Sequence, residues 1–99
     1  MRIAIIGREI SLDNQMRAYS EYKVFSALAP YARQIDHVDV VLENCSTDLN
    51  RTQAMCTVMV TLAPTGRERV RARASGAYPA IDCAATRIQQ VMQSRCADP

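Results

Sequence analysis

The sequence has no tryptophan, one phenylalanine, one histidine, one lysine and only three glycines in 99 residues. Gly7, Gly66 and Gly76 stand far apart, so no glycine-rich phosphate loop can be assembled from them. His37 has no second histidine to join it, and Cys45, Cys56, Cys83 and Cys96 contain no Cys-x-x-Cys pair. Zinc-type ligand spacing is therefore absent, and neither a metal nor a cofactor is expected. A Ser-His-Asp set and paired carboxylates in an apolar setting are also missing, so the chain does not read as an enzyme. Long hydrophobic runs are lacking too. Met1-Arg2-Ile3-Ala4-Ile5-Ile6-Gly7-Arg8 offers only four apolar residues, Ile3 to Ile6, before the next charge. That is too short for a secretory core or a membrane span, and the expectation is a cytoplasmic protein with reduced thiols.

What is present is ordinary in amount and unusual in placement. Apolar content of 48% and charged content of 22% suit a small globular domain, expected to span residues 1–99 around a single two-layer core. The net charge is only +2, with eleven arginines against the one lysine, Lys23, a bias that a GC-rich genome explains as readily as function. Within Gly66-Arg-Glu-Arg-Val-Arg-Ala-Arg-Ala74, Arg67, Arg69, Arg71 and Arg73 recur at every second position. Alternate side chains of a β-strand point to opposite faces, so all four guanidiniums share one side while Val70, Ala72 and Ala74 face a core. A row of guanidiniums suits phosphate oxygens, which each can grip bidentately.

Residues 2–6 read as a strand closed by Gly7. Asp13 is a candidate N-cap for a helix whose stripe runs through Met16, Tyr19, Lys23, Val24, Ala27, Leu28 and Tyr31, with Pro30 stopping or kinking it near Ala29. Residues 36–43 alternate as a strand, residues 44–51 read as a polar loop, and residues 53–62 alternate again. Ala63-Pro64-Thr65-Gly66 signals a turn, which joins that run to the arginine strand as a hairpin. Pro79 fits a first helical turn, and Ile81, Ala84, Ala85, Ile88, Val91 and Met92 continue as an apolar stripe. Asp82 falls in that opening turn, where a carboxylate complements the helix dipole and has a structural role. Tyr78 anchors the helix start.

The order is β-α-β-β-β-α, which predicts an α+β fold: a four-stranded mixed sheet with two helices packed on one face. A βαβ start makes the first pair parallel. If the strands lie in sequence order, the arginine strand is an edge and its neighbour offers it no carboxylate. Edge strands also carry charge simply to block aggregation, so the row has a second, non-functional explanation. All five aromatics (Tyr19, Tyr22, Phe25, Tyr31, Tyr78) fall on or beside helices, which argues against aromatic base stacking on the sheet and points to backbone and shape reading. Cys56 and Cys83 read as core thiols, with Cys45 in the loop and Cys96 at a frayed terminus.

The chain resembles the ribosome hibernation-promoting factor and ribosome-associated inhibitor family (protein Y, sigma-factor modulation proteins). The resemblance is carried by Ile6-Gly7-Arg8-Glu9-Ile10, by Met16-Arg17-x-Tyr19 with Lys23, by Val38-x-Val40-Val41-Leu42, and by Tyr78-x-Ala80-Ile81-Asp82 with Arg87-Ile88. It implies the same β-α-β-β-β-α fold, binding to ribosomal RNA of the small ribosomal subunit, and translation silenced in idle ribosomes. It also implies RNA contacts from Arg17, Lys23 and Arg87 on the helices, which add to those that the strand spacing suggests for Arg67, Arg69, Arg71 and Arg73. The final helix departs from the family's usual Lys/Arg-rich face, carrying Gln89, Gln90, Gln93 and Ser94, with Arg95 late. A short-form member is expected, without the C-terminal domain by which long members dimerise ribosomes, and as a monomer or weak homodimer. The alternative is a divergent paralogue that serves as a protein-interaction module or self-associates through its arginine-rich edge.

Overall fold

The structure, a computed structural model, describes residues 1–46 and 52–96. Its elements are β1 (Arg2–Arg8), α1 (Asn14–Leu28), a 3-10 helix (Ala29–Gln34), β2 (Ile35–Ser46), β3 (Thr52–Leu62), β4 (Arg67–Ala74) and α2 (Ala77–Arg95). The strands lie in the order β1-β2-β3-β4, with β1 parallel to β2 and the other two pairs antiparallel. This is the expected α+β architecture, a mixed four-stranded sheet with two helices.

Local signals explain most boundaries. The Asp13 carboxylate accepts from the Met16 amide at 2.7 Å and so caps α1. Pro30 lies in the first turn of the 3-10 segment that takes over from α1 at Ala29, as its missing amide and fixed φ require. At the β3–β4 turn, Gly66 adopts φ +118°, a backbone region that side chains disfavour, and the Leu62 amide donates to the Gly66 carbonyl at 2.9 Å. The core joins Val24 and Leu28 of α1 and Ile81, Ile88 and Met92 of α2 to Val38, Val40, Leu42, Cys56, Val58 and Val60 of the sheet, all fully buried. Ser20 is buried among them, and its hydroxyl donates to the Met16 carbonyl at 2.9 Å.

Four expectations need correction. β1 continues through Arg8 because Gly7 and Arg8 pair with Leu42 and Glu43 in the parallel ladder. Asn44, Cys45 and Ser46 are strand rather than loop, since they pair with Ala54, Gln53 and Thr52. Ladder pairing is made by backbone groups, so polar side chains do not end it; residues 47–51 of the expected loop lie outside those described. Helix α2 begins at Ala77, which moves Asp82 beyond the first turn and away from the dipole site. Cys96 is not frayed: it is the C-cap of α2, and its thiol donates to Gln34 Oε1 at 2.8 Å. All four cysteines are free thiols. No helix among the described residues is long and apolar enough to cross a membrane.

Candidate functional site

Register places chemically distinct side chains in rows across the face of the sheet that the helices leave open. One row runs Arg2–His37–Thr61–Arg67, the next Ala4–Asp39–Met59–Arg69, then Ile6–Val41–Thr57–Arg71, then Arg8–Glu43–Met55–Arg73. Along the strands the same face reads as stripes. β4 is a line of four exposed arginines, β3 contributes uncharged Met55, Thr57, Met59 and Thr61, and β2 carries Asp39 and Glu43. The arginines stand roughly 7 Å apart, two strand residues per step. None of the four makes an ion pair among the described residues.

The other face of β4 explains why the row is so clean. Val70, Ala72 and Ala74 turn into the core, and Glu68, on that same side, meets Arg95 of α2 at 2.9 Å. The strand's one carboxylate is thereby drawn away from the arginine face. Its position two residues before Val70 is visible in the sequence, but its partner is not, because Arg95 lies 27 residues away.

The three helix cations are arranged differently. Arg17 donates from Nη1 to the Ile5 carbonyl at 3.1 Å, and Arg87 donates from Nη1 to the Arg71 carbonyl at 2.6 Å. Each satisfies a backbone group on an outer strand, one at either edge of the sheet. Lys23 Nζ lies 3.6 Å from Asp82 Oδ1, which also accepts from the Tyr19 hydroxyl at 2.5 Å. That hydrogen bond, followed by desolvation and the charge of Asp82, raises the Tyr19 pKa above 10.0. Tyr78 packs edge-on against Tyr19, ring centres 4.9 Å apart, as an anchor should. Asp82 therefore ties α1 to α2, and its structural role comes from Tyr19 and Lys23 rather than from the dipole.

The seven predicted contact residues thus do not form one patch. Arg67, Arg69, Arg71 and Arg73 form a single unpaired row, while Arg17, Lys23 and Arg87 each engage a group of the protein itself. Sequence reasoning missed Arg2 and Arg8, both exposed at the far edge of the open face. Extending the period-2 alternation of Ala4 and Ile6 by one step each way would have found them. It also missed a cleft of about 450 Å³ at the turn end of the hairpin, lined by His37, Asp39, Met59, Thr61, Arg67 and Arg69. Strands 30 residues apart in sequence meet there, so no local pattern marks it. No cluster of potential metal ligands occurs among the described residues.

The sequence profile of the family described as Sigma 54 modulation protein / S30EA ribosomal protein matches residues 3–95. Among solved structures, a ribosomal subunit interface protein from Coxiella burnetii is similar with a TM-score of 0.82 and 16% identity, over 99% of this chain and 100% of that one. At that identity the likeness is one of fold. The N-terminal domain of Thermus thermophilus Protein Y is similar with a TM-score of 0.75 and 27% identity, over 96% of this chain and 99% of that one. No curated protein matches the sequence at a significant level.

Proposed function

Because this chain belongs to the Sigma 54 modulation protein / S30EA ribosomal protein family, we propose that it associates with ribosomes as a hibernation-type translation inhibitor. Residues 1–99 act as one non-enzymatic, cytoplasmic domain whose target is ribosomal RNA of the small subunit. The observation that carries the reading is the open-face row of Arg67, Arg69, Arg71 and Arg73, exposed and without an ion pair among the described residues. Unpaired guanidiniums at a regular step offer an RNA backbone a line of charge-assisted, bidentate contacts. Arg17 and Arg87 commit one N–H each to a strand carbonyl and add only weaker, partial contacts with the RNA. Lys23, beside Asp82, adds the weakest contribution.

This assignment moves the main RNA-facing charge from the last helix, whose outer side carries Gln89, Gln90 and Gln93, to the sheet. Edge protection alone explains the row less well. Arg87 already occupies the Arg71 carbonyl on that edge, so four further cations exceed what blocking strand addition needs.

Cosedimentation with purified small subunits tests the proposal. The wild type is expected to pellet at low salt and Arg69→Glu/Arg71→Glu to stay in the supernatant. A wild type that does not pellet refutes ribosome binding. A double variant that pellets equally well acquits the strand, and concentration-dependent dimerisation without pelleting supports the self-associating paralogue instead.

A further inference from the structure

We propose that the cleft at the turn end of the open face is a reading site for one unpaired guanine base of single-stranded RNA. The inference rests on the reading of β4 as a phosphate track and assigns what lies beside that track. The cleft has three chemically different walls: Arg67 and Arg69 on β4, with Glu68 between them paired to Arg95 at 2.9 Å, Met59 and Thr61 on β3, and His37 and Asp39 on β2. Register sets Asp39, Met59 and Arg69 in one line across the sheet. Two strand spacings, roughly 9.6 Å, separate the backbones that carry Arg69 and Asp39, and the two side chains form no ion pair among the described residues. A phosphate held by Arg67 and Arg69 therefore sits clear of Asp39, and its base lies over the polarizable thioether of Met59. The far edge of that base then meets Asp39.

The chemistry of Asp39 selects the base. A carboxylate only accepts hydrogen bonds, and it has two oxygens to fill. Guanine alone presents two adjacent donors, N1–H and the N2 amino group, on its Watson–Crick edge. Cytosine and adenine set one amino donor beside an acceptor nitrogen, which faces the second carboxylate oxygen unfavourably. Uracil flanks its single donor with two carbonyls. The carboxylate is accessible, with 34% of its side chain exposed, and His37 is its charged or polar neighbour on β2. His37 Nε2 lies 3.7 Å from Asp39 Oδ2 and 3.3 Å from Thr61 Oγ1, while Nδ1 lies 3.3 Å from Asp36 Oδ2. At 3.7 Å the His37–Asp39 contact is too long for a hydrogen bond, so both Asp39 oxygens remain acceptors for a base. Because the Watson–Crick edge is occupied in a duplex, the site takes only single-stranded or looped RNA.

Fluorescence anisotropy with the full chain tests this, using labelled oligouridine and the same strand carrying one central guanosine or one central inosine. The wild type is expected to prefer the guanosine strand about tenfold or more, the range of one bidentate base contact. Inosine lacks the N2 amino group and is expected to erase most of that preference, with no change to the protein at all. Asp39→Asn, verified as folded by its melting curve, is expected to bind the guanosine and uridine strands equally. Arg69→Gln weakens both strands together. Arg69-dependent binding with no guanosine preference overturns the inference and leaves the proposed function standing. So does a preference that Asp39→Asn retains, or arginine-dependent pelleting with small subunits when no oligonucleotide binds. If neither oligonucleotides nor small subunits bind in an Arg69-dependent way, the inference falls together with the reading it rests on.

Discussion

Neutralising two strand arginines should cost far more RNA affinity than neutralising two helix arginines, although the formal charge removed is the same. In Arg69→Gln/Arg71→Gln, two exposed guanidiniums without ion pairs are lost from the middle of the row. Each charge-assisted contact at an exposed site is worth about 1.5 kcal/mol, so the pair contributes about 3 kcal/mol, or roughly a hundredfold in affinity. Counterion release adds an independent measure. Four phosphate contacts give a slope of log K against log salt near −3 to −4, and losing two should flatten it by about 1.4 to 1.8. In Arg17→Gln/Arg87→Gln, the groups removed are donors to the Ile5 and Arg71 carbonyls. Those carbonyls can turn to water at the sheet edges, so the main expected effect is a small loss of stability with a slope change under about 1. The assay is anisotropy titration of a small-subunit RNA fragment at several salt concentrations, with thermal melts of both variants. Equal flattening of the slope by the two double variants would refute the reasoning, because it would place the RNA-facing charge on the helices as much as on the strand.

Further outcomes concern the scaffold. Because the Tyr19 pKa is raised, the neutral phenol is favoured by folding, and its contribution is complete below the ordinary value of 10.0. It is lost as pH rises through the higher folded value, so wild type and Tyr19→Phe should converge in melting temperature at strongly alkaline pH; parallel curves there would contradict the Tyr19–Asp82 assignment. Burial pushes the Cys56 thiol up to about 12, so thiol reagents should modify Cys45, Cys83 and Cys96 in the native protein and reach Cys56 only on unfolding, as mass spectrometry of the labelled peptides can show. Ile88 is fully buried between α2 and the sheet, and Ile88→Ala should destabilise by about 3 kcal/mol in denaturant titration, whereas a loss under about 1 kcal/mol would mean the helix is loosely packed. At Gly66 the φ of +118° strains any side chain, and an added Cβ would come within 2.7 Å of Arg95 Nη2; Gly66→Ala should lower the melting temperature measurably.

The sequence by itself determined the order of elements, because hydrophobic periodicity and turn chemistry are local. Asp13 and Pro30 bounded the first helix, Ala63 to Gly66 closed the hairpin, and the period of two fixed which face of β4 carries the arginines. Those signals need only the residues within a few positions of one another. Tertiary structure decided everything that depends on partners distant in the chain. Only the register revealed that Asp39, Met59 and Arg69 share a line. Packing alone drew Glu68 to Arg95, Lys23 to Asp82, and Arg17 and Arg87 to the two sheet edges. A charged side chain's role is set by what sits within a few ångströms of it, and local spacing does not encode that. The arginines of β4 were legible because a strand presents its own alternate residues. The helix cations were not, because what each one touches belongs to another element.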